Sequence, residues 1–130
     1  MEPIKIYVSD SYHTDLIVEV LENYFGEKVE CHTDLKEADV FDIFFLSGRH
    51  ILHNLNLNSL KRNFGYENTK VVAVSATDVY LVEIRNTPSL GVDFTMDKQL
   101  FFANSINLEF GEALDKSFTV KLDEIFSSVR

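Results

Sequence analysis

The chain has 130 residues, 45% of them hydrophobic and 25% charged, and this composition fits one ordinary globular domain over residues 1–130. Its formal net charge of −9 repels phosphate backbones and anionic lipids, which argues against nucleic acids and membranes as direct partners. Because no apolar run approaches the ~18 residues of a membrane-spanning helix and the first residues lack a signal-peptide pattern, we expect a cytoplasmic protein.

The first third of the chain predicts a strand, a helix, a second strand and a short helix. Residues 4–8 are mostly β-branched or aromatic and are followed by turn-forming residues, which is typical of a strand. The helix is indicated by apolar side chains at helical spacing and by a glycine after the last of them: Leu16, Ile17, Val20, Leu21, Tyr24, Phe25 and Gly26. Residues 28–32 alternate as a second strand, and residues 33–38 predict a brief helix opened by a threonine.

The middle third contains two segments that are apolar almost throughout, residues 41–46 and residues 70–76. Such continuity is typical of central strands in a parallel sheet, because helices cover both faces of the sheet. Between them, residues 49–68 carry an apolar face that is interrupted by several asparagines, which have poor helix propensity. This stretch predicts one short, irregular helix.

The last third predicts a helix, a fifth strand and a closing helix. Residues 77–84 predict a capped helix that stops before Pro88, and residues 92–96 predict a short strand. Residues 112–129 carry an apolar stripe at helical spacing, whereas residues 99–111 are apolar without a clear period and receive no assignment. Strands that alternate with helices in this way imply a right-handed, doubly wound α/β domain with a parallel sheet of about five strands.

Polar residues stand at the ends of several predicted strands. From strand one to strand five, these residues are Asp10, Ser47, Ser75 and Lys98. Their order and spacing resemble the receiver domain of two-component response regulators, which has a flavodoxin-like (βα)5 fold. In that family an acidic pair follows strand one, a phosphoaccepting aspartate ends strand three, a hydroxyl residue ends strand four and a lysine follows strand five. Ser47 therefore stands in the place of the phosphoacceptor, and Gln99 stands in the place of a proline that is usually cis.

The departures from the family pattern fall on the residues that would carry the chemistry. Mg²⁺ needs several oxygen ligands, usually including carboxylates, and this edge of the predicted sheet offers Asp10 alone. Asp42 cannot substitute, because five residues of strand place it about 16 Å from Ser47 at the opposite edge. We therefore expect no enzymatic activity, no cofactor and no metal. The resemblance implies a vestigial phosphorylation pocket of Asp10, Ser47, Ser75 and Lys98. Lys98 would either bind an anion over the end of strand three, or pair with Asp10 or be solvated, and we favour the pairing with Asp10 because burying either charge alone is costly.

Other reactive side chains have simpler structural explanations. Cys31 lies in an alternating segment, and we expect it to fill space in the core. His50 is the best-placed base for Ser47, but it has no obvious orienting partner. His50 and His53 also lack the further ligands of a metal site. A separate hypothesis is that a kinase phosphorylates Ser47 and so alters a surface without acyl-phosphate chemistry.

The resemblance implies a phosphorylation-independent signalling domain of the two-component type that acts through protein–protein contacts. The expected partner is another protein or a second copy of the chain in a homodimer, bound through helix four, strand five and the closing helix. Aromatic residues in and near this region form the candidate interface: Tyr80, Phe94, Phe101, Phe102 and Phe110.

The alternative is a flavodoxin-like protein that binds a cofactor or a phosphate group. Residues 9–14 would then cradle a phosphate at the start of the first helix. This loop contains no glycine, which hinders the close approach of a phosphate to the backbone. A flavin bound to the purified protein would favour this alternative.

Overall fold

A computed structural model describes residues 2–35, 40–53 and 55–129 of the chain. Within these ranges, five parallel strands form one sheet in the order β2-β1-β3-β4-β5. The strands are β1 (Ile4–Ser9), β2 (Val29–His32), β3 (Ile43–Ser47), β4 (Lys70–Ser75) and β5 (Phe94–Asp97). Because the order reverses between β1 and β3, the domain is doubly wound and flavodoxin-like, and the predicted fold class is confirmed.

Helices cover both faces of the sheet. In chain order they are α1 (Thr14–Phe25), α2 (Gly48–His53), α3 (Leu57–Phe64), α4 (Asp78–Arg85), α5 (Lys98–Glu109) and α6 (Lys116–Ser127). The helices α1, α5 and α6 pack on one face, and α2, α3 and α4 pack on the other. Short 3-10 turns at Gly26–Lys28 and Pro88–Leu90 lead into β2 and towards β5.

The central strand β3 is buried along its whole length. Ile43 and Phe45 belong to the core beneath α1, α5 and α6, whereas Phe44 and Leu46 belong to the core beneath α2, α3 and α4. Side chains of a strand alternate between the two faces of a sheet, so an unbroken apolar run is what a strand covered on both faces requires. The predicted central strand is confirmed, and it covers Ile43–Ser47 where residues 41–46 were predicted.

The stretch after β3 was predicted as one irregular helix, and this prediction is wrong because the stretch contains two helices, α2 and α3. The side chain of Asn56 caps the start of α3 and accepts a hydrogen bond from the backbone nitrogen of Ser59 at 3.0 Å. Gly65 ends α3 with a φ of 77°, a left-handed conformation that glycine adopts readily. Asparagine is unfavourable inside a helix but favourable at its start, so Asn56 favours the beginning of a second helix at this point of the stretch.

Of the unassigned residues 99–111, residues 99–109 belong to α5, which begins at Lys98. Its apolar side chains do not lie on one stripe, since Phe101 is fully buried while Ile106 is 52% exposed. This arrangement explains why the sequence shows no clear helical period. The helix begins directly after β5, where the Asp97 side chain accepts a hydrogen bond from the backbone nitrogen of Gln99 at 2.9 Å.

The closing helix α6 begins at Lys116 and not at residue 112 as predicted. A buried asparagine of α5 determines this start. Asn104 donates from Nδ2 to the Leu100 carbonyl at 2.7 Å and accepts at Oδ1 from the backbone nitrogen of Asp115 at 2.7 Å. The turn between α5 and α6 is therefore fixed by a polar side chain inside the domain.

The remaining predicted helices have mixed outcomes. Of the helix predicted over residues 33–38, residues 36–38 lie outside the described residues, and residues 33–35 are not helical. The helix predicted over residues 77–84 corresponds to α4, which is shifted by one residue at each end. Within the described ranges, no helix combines the length and the apolar character that crossing a bilayer demands.

Candidate functional site

The carboxyl ends of the parallel strands meet at one edge of the sheet, where doubly wound folds place their functional residues. Ser47 and Ser75 are the last residues of β3 and β4. Asp10 comes directly after β1, and Lys98 comes directly after β5. All four residues of the predicted pocket therefore lie along this edge.

Asp10 and Lys98 form an ion pair. Lys98 Nζ donates a hydrogen bond to Asp10 Oδ2 at 2.8 Å, and the two side chains are only 12% and 1% exposed. In the sheet, β3 and β4 lie between β1 and β5. The ion pair therefore connects the residue after β1 with the residue after β5, across the carboxyl ends of β3 and β4. The predicted pairing is confirmed, and each buried charge compensates the other.

Further hydrogen bonds hold the Asp10 carboxylate in the loop between β1 and α1. Its Oδ2 atom also accepts from the backbone nitrogens of His13 at 3.0 Å and Tyr12 at 3.4 Å. The Thr14 hydroxyl accepts from the backbone nitrogen of Asp10 at 2.9 Å and donates to its carbonyl at 2.8 Å. Three donors thus converge on Oδ2, while Oδ1 is buried and has no hydrogen-bond partner among the described residues.

His13 belongs to this cluster, and sequence reasoning gave it no role. Its Nδ1 atom lies 3.7 Å from Asp10 Oδ2 and is buried without a hydrogen-bond partner among the described residues. Its ring meets the Phe102 ring of α5 edge to face, with centroids 4.7 Å apart and an interplanar angle of 77°. An aspartate three residues before a histidine at a helix start was the available signal, because residues three apart lie close together there.

The two serines do not share one pocket. Ser47 is 8% exposed and Ser75 is 6% exposed. Ser75 Oγ accepts from the backbone nitrogen of Thr77 at 3.0 Å and donates to the Thr77 carbonyl at 3.3 Å, which shapes the turn before α4. Ser47 pairs with Val74 in the sheet, so the alternation of side chains directs Ser47 and Ser75 towards opposite faces.

The residues predicted for an interface differ in their exposure. Phe110 is 75% exposed, whereas Tyr80, Phe94 and Phe102 are half-buried. Phe101 is fully buried in the core beneath α1, α5 and α6. The structure therefore corrects the assignment of Phe101 to an interface, because its ring reaches no surface.

A surface groove of about 450 Å³ runs along α4, β5 and α6. We call it the α4–β5–α6 groove. Its apolar lining includes Ile84, Phe94 and Ile125, and its charged lining consists of Arg85, Asp93, Lys121 and Glu124. Because β5 is the last strand on its side of the described sheet, the groove lies beside backbone groups that have no neighbouring strand.

Other candidate chemistry finds little support in the geometry. No group of three or more histidine, cysteine, aspartate or glutamate side chains within the described ranges is arranged to hold a metal ion. Asp42 lies at the opposite edge of the sheet, where its Oδ2 accepts from the backbone nitrogen of Lys5 at 2.9 Å. Burial raises the pKa of the Cys31 thiol to about 12, so little of the nucleophilic thiolate exists near neutral pH.

No family model, no curated protein and no solved structure matches this chain. The fold and the site define a class of protein: a doubly wound α/β domain with a buried ion pair between Asp10 and Lys98 at the carboxyl edge of its sheet.

Proposed function

We propose that this chain is a cytoplasmic, receiver-like signalling domain of the two-component type that works without phosphorylation and acts through contact with a protein partner. The ion pair between Asp10 and Lys98 carries this proposal. The donors to Asp10 occupy Oδ2, so among the described residues this carboxylate keeps one oxygen without a donor, Oδ1, whereas a divalent cation takes about six oxygen ligands, usually with one or two carboxylates. Without that cation, phosphoryl transfer to this edge of the sheet lacks its usual charge stabilisation.

The residue at the end of β3 supports the same conclusion. A serine hydroxyl needs a neighbouring base to act as a nucleophile, and His50, three residues further on, is exposed on α2. Ser47 itself is 8% exposed, so a kinase could reach it only if the end of β3 opened. Both acyl-phosphate chemistry and phosphorylation by a kinase are therefore disfavoured.

The loop after β1 gives less support to the phosphate-binding alternative. A cavity of about 390 Å³ lies beside residues 10–16. However, the backbone amides of Tyr12 and His13 already donate to Asp10, and a phosphate would meet the carboxylate oxygens at close range. We do not propose a cofactor or phosphate at this position.

The proposed contact surface is the α4–β5–α6 groove, and the proposed partner is a second copy of the chain. A groove that carries Arg85 and Lys121 together with Asp93 and Glu124 can pair with itself across a twofold axis, because each cation can face an anion of the other copy. This pairing offsets the repulsion between two chains of net charge −9. Val82 of α4, 50% exposed, adds apolar surface on a helix that lines the groove.

The decisive experiment treats the purified chain with acetyl phosphate and Mg²⁺ and measures its intact mass. We expect no added phosphoryl group, because neither the acceptor nor the metal site is complete. A Ser47→Asp variant treated in parallel supplies a matched comparison for the missing acceptor. Stoichiometric, Mg²⁺-dependent and base-labile phosphate on the unaltered chain would contradict the proposal, and a chain that stays monomeric at the highest concentration measured would contradict the choice of partner.

A further inference from the structure

Helix α5 carries apolar side chains on the side that faces away from the core. Phe102, Ile106 and Phe110 recur at every fourth position, so they lie along one side of the helix. Phe102 is half-buried, Ile106 is 52% exposed and Phe110 is 75% exposed. Phe110 follows the last residue of α5 and still donates its backbone N–H to the Ile106 carbonyl at 3.1 Å. We call these three residues the α5 apolar stripe.

The composition of α5 is unusual for a helix at the surface of a domain. Its inner side is buried through Phe101, and a surface helix that is apolar on its inner side is ordinarily polar on its outer side. Of the twelve residues of α5, the charged ones are Lys98 and Glu109, and Lys98 is held by Asp10. A helix that is apolar on both sides indicates a second covering layer, which another molecule would supply.

The neighbouring helix α1 presents the opposite kind of surface. Asp15, Glu19 and Glu22 are exposed and follow one another at helical spacing, and the sequence of α1 contains no lysine or arginine. We call these three residues the α1 acidic stripe. Helix α1 packs against α5, and the His13 ring before α1 meets the Phe102 ring with centroids 4.7 Å apart. An exposed apolar stripe and an exposed acidic stripe therefore lie on two adjacent helices.

We propose that α1 and α5 form a docking site for an amphipathic helix of another protein. The apolar side of that helix packs on the α5 apolar stripe, and lysines or arginines along its edge face the α1 acidic stripe. An amphipathic helix offers both features at once, because its apolar residues recur every three or four positions and its charges flank them. The charge complementarity fixes the partner as a basic helix. This site shares no lining residue with the α4–β5–α6 groove.

The charges of the site disfavour other occupants. A second copy seated here across a twofold axis would bring two α1 acidic stripes together, because a twofold contact uses the same patch on both copies. Like charges brought face to face weaken such a contact, and each chain has a net charge of −9. The same carboxylates repel nucleic acids and anionic lipids.

Isothermal titration calorimetry of the full chain with two synthetic peptides tests the site. Both peptides carry leucines at helical spacing, and the remaining positions are lysines in one peptide and glutamates in the other. We expect the lysine peptide to bind, with an affinity that falls as salt is added, and the glutamate peptide not to bind. Absence of binding by the lysine peptide, or equal binding of both peptides, overturns the proposal.

Two serine substitutions decide whether the apolar stripe carries the binding. Ile106→Ser should weaken binding of the lysine peptide by about tenfold or more, because the partner then loses a large apolar contact. Val79→Ser is the control, since Val79 of α4 is 69% exposed and lies on another helix. It should leave the affinity unchanged. Equal weakening by the two variants contradicts the proposal.

Two charge reversals decide whether the acidic stripe selects the partner. Glu19→Lys should weaken binding of the lysine peptide, because it places a cation opposite the lysines of the peptide. Glu83→Lys makes the same change of net charge at an exposed position of α4 and should have a much smaller effect. If both variants weaken binding equally, the attraction is a general property of an acidic protein and the proposed site is wrong.

The docking site and the proposed self-association fail separately. Lys121→Glu, which acts on the α4–β5–α6 groove, should not weaken binding of the lysine peptide, and peptide binding by a chain that stays monomeric leaves the docking site intact. Sedimentation equilibrium of Ile106→Ser covers the remaining case. If this variant loses self-association and still binds the lysine peptide, the α5 apolar stripe is a contact between two copies and the proposal is overturned.

Discussion

Asn104 and Asp115 are joined by a hydrogen bond of 2.7 Å from the backbone nitrogen of Asp115 to the Asn104 side chain. Asn104 is fully buried, and its amide also donates to the Leu100 carbonyl. The bond determines where the chain leaves the turn after α5 and enters α6. A single buried amide therefore connects the two helices that close this face of the sheet.

Asn104→Ala is expected to destabilise the domain by about 1–3 kcal/mol, because the substitution leaves the Asp115 amide without its buried acceptor. The measurement is urea unfolding followed by circular dichroism. Asn107→Ala is a matched control on the same helix, since Asn107 makes a longer bond of 3.3 Å to the exposed Asp115 carboxylate. Equal losses for the two variants would show that Asn104 has no special role.

Lys98→Met is expected to cost about 3–5 kcal/mol, because Asp10 then stays buried without its counterion. Adding Asp10→Asn in the same chain should recover much of that loss, since neither charge remains. A double-mutant cycle of unfolding free energies at pH 7 measures the coupling. Lys116→Met, at the exposed start of α6, controls for the loss of a lysine. Additive effects of the two substitutions would mean that the ion pair contributes nothing to stability.

Cys31 should react slowly with thiol reagents in the folded protein. Burial, and to a smaller extent the charge of Glu22, raises the pKa of its thiol from 9.0 to about 12. At pH 8 the thiolate is then on the order of 1,000-fold rarer than for an ordinary thiol. We expect reaction with a chromogenic disulfide to accelerate strongly when urea unfolds the chain. Equal rates in the folded and unfolded states would contradict the prediction.

The same thiol has a consequence for stability at high pH. Because its pKa is raised on folding, the folded state keeps the proton that the unfolded state loses above pH 9.0. The Cys31 contribution to stability is therefore complete below that pH and declines as the pH rises towards about 12. A Cys31→Ala variant should show a shallower decline over this interval in unfolding experiments.

Tyr24→Phe should weaken the contact between α1 and α6. The Tyr24 hydroxyl lies 3.0 Å from both carboxylate oxygens of Asp123, and a bond of this kind contributes about 0.5–1.5 kcal/mol, with the low end expected at an exposed site. Burial and the Asp123 carboxylate raise the Tyr24 pKa above 10.0, so its contribution falls as the pH rises through that region. Tyr12→Phe, at a position that is 84% exposed, is the control and should change neither quantity.

Charge reversal tests the α4–β5–α6 groove as a self-association surface. Lys121→Glu leaves the groove with three anions against Arg85 and should weaken dimerisation by tenfold or more, as removal of about 1.4 kcal/mol implies. Lys116→Glu makes the same change on the same helix but outside the groove lining. Sedimentation equilibrium of both variants gives the dissociation constants. Equal weakening by the two variants would assign the effect to net charge and remove the groove from consideration.

The sequence was most informative where composition alone decides burial. The nearly continuous apolar runs at residues 41–46 and 70–76 predicted central strands, and they correspond to β3 and β4. The contact of Asp10 with Lys98 was also predictable, because each follows a parallel strand and neither charge can be buried alone. In these cases the prediction depends only on the local sequence or on the fact that parallel strands end at the same edge of the sheet.

The errors in the predicted helices and site have a common physical cause. Where the local sequence pattern was ambiguous, contacts between distant segments determined the structure. Helix α5 has apolar side chains on several sides because Phe101 faces the core while Ile106 remains exposed, so no helical period was visible. The start of α6 depends on buried Asn104, whose partner lies eleven residues further along the chain. The contact of His13 with Phe102 joins two segments that are distant in the sequence, and no pattern in either segment predicts it.

Asp10 and Lys98, which form the ion pair, are 88 positions apart in the chain. This separation affects the order in which the protein folds during its synthesis. A contact across such a distance closes a long loop and is expected late in folding. During synthesis, Asp10 leaves the ribosome well before its counterion, so its carboxylate must stay in water until α5 has emerged. A shortened chain without α5 would lack this counterion and leave the Asp10 carboxylate unpaired by any lysine at the carboxyl edge of the sheet.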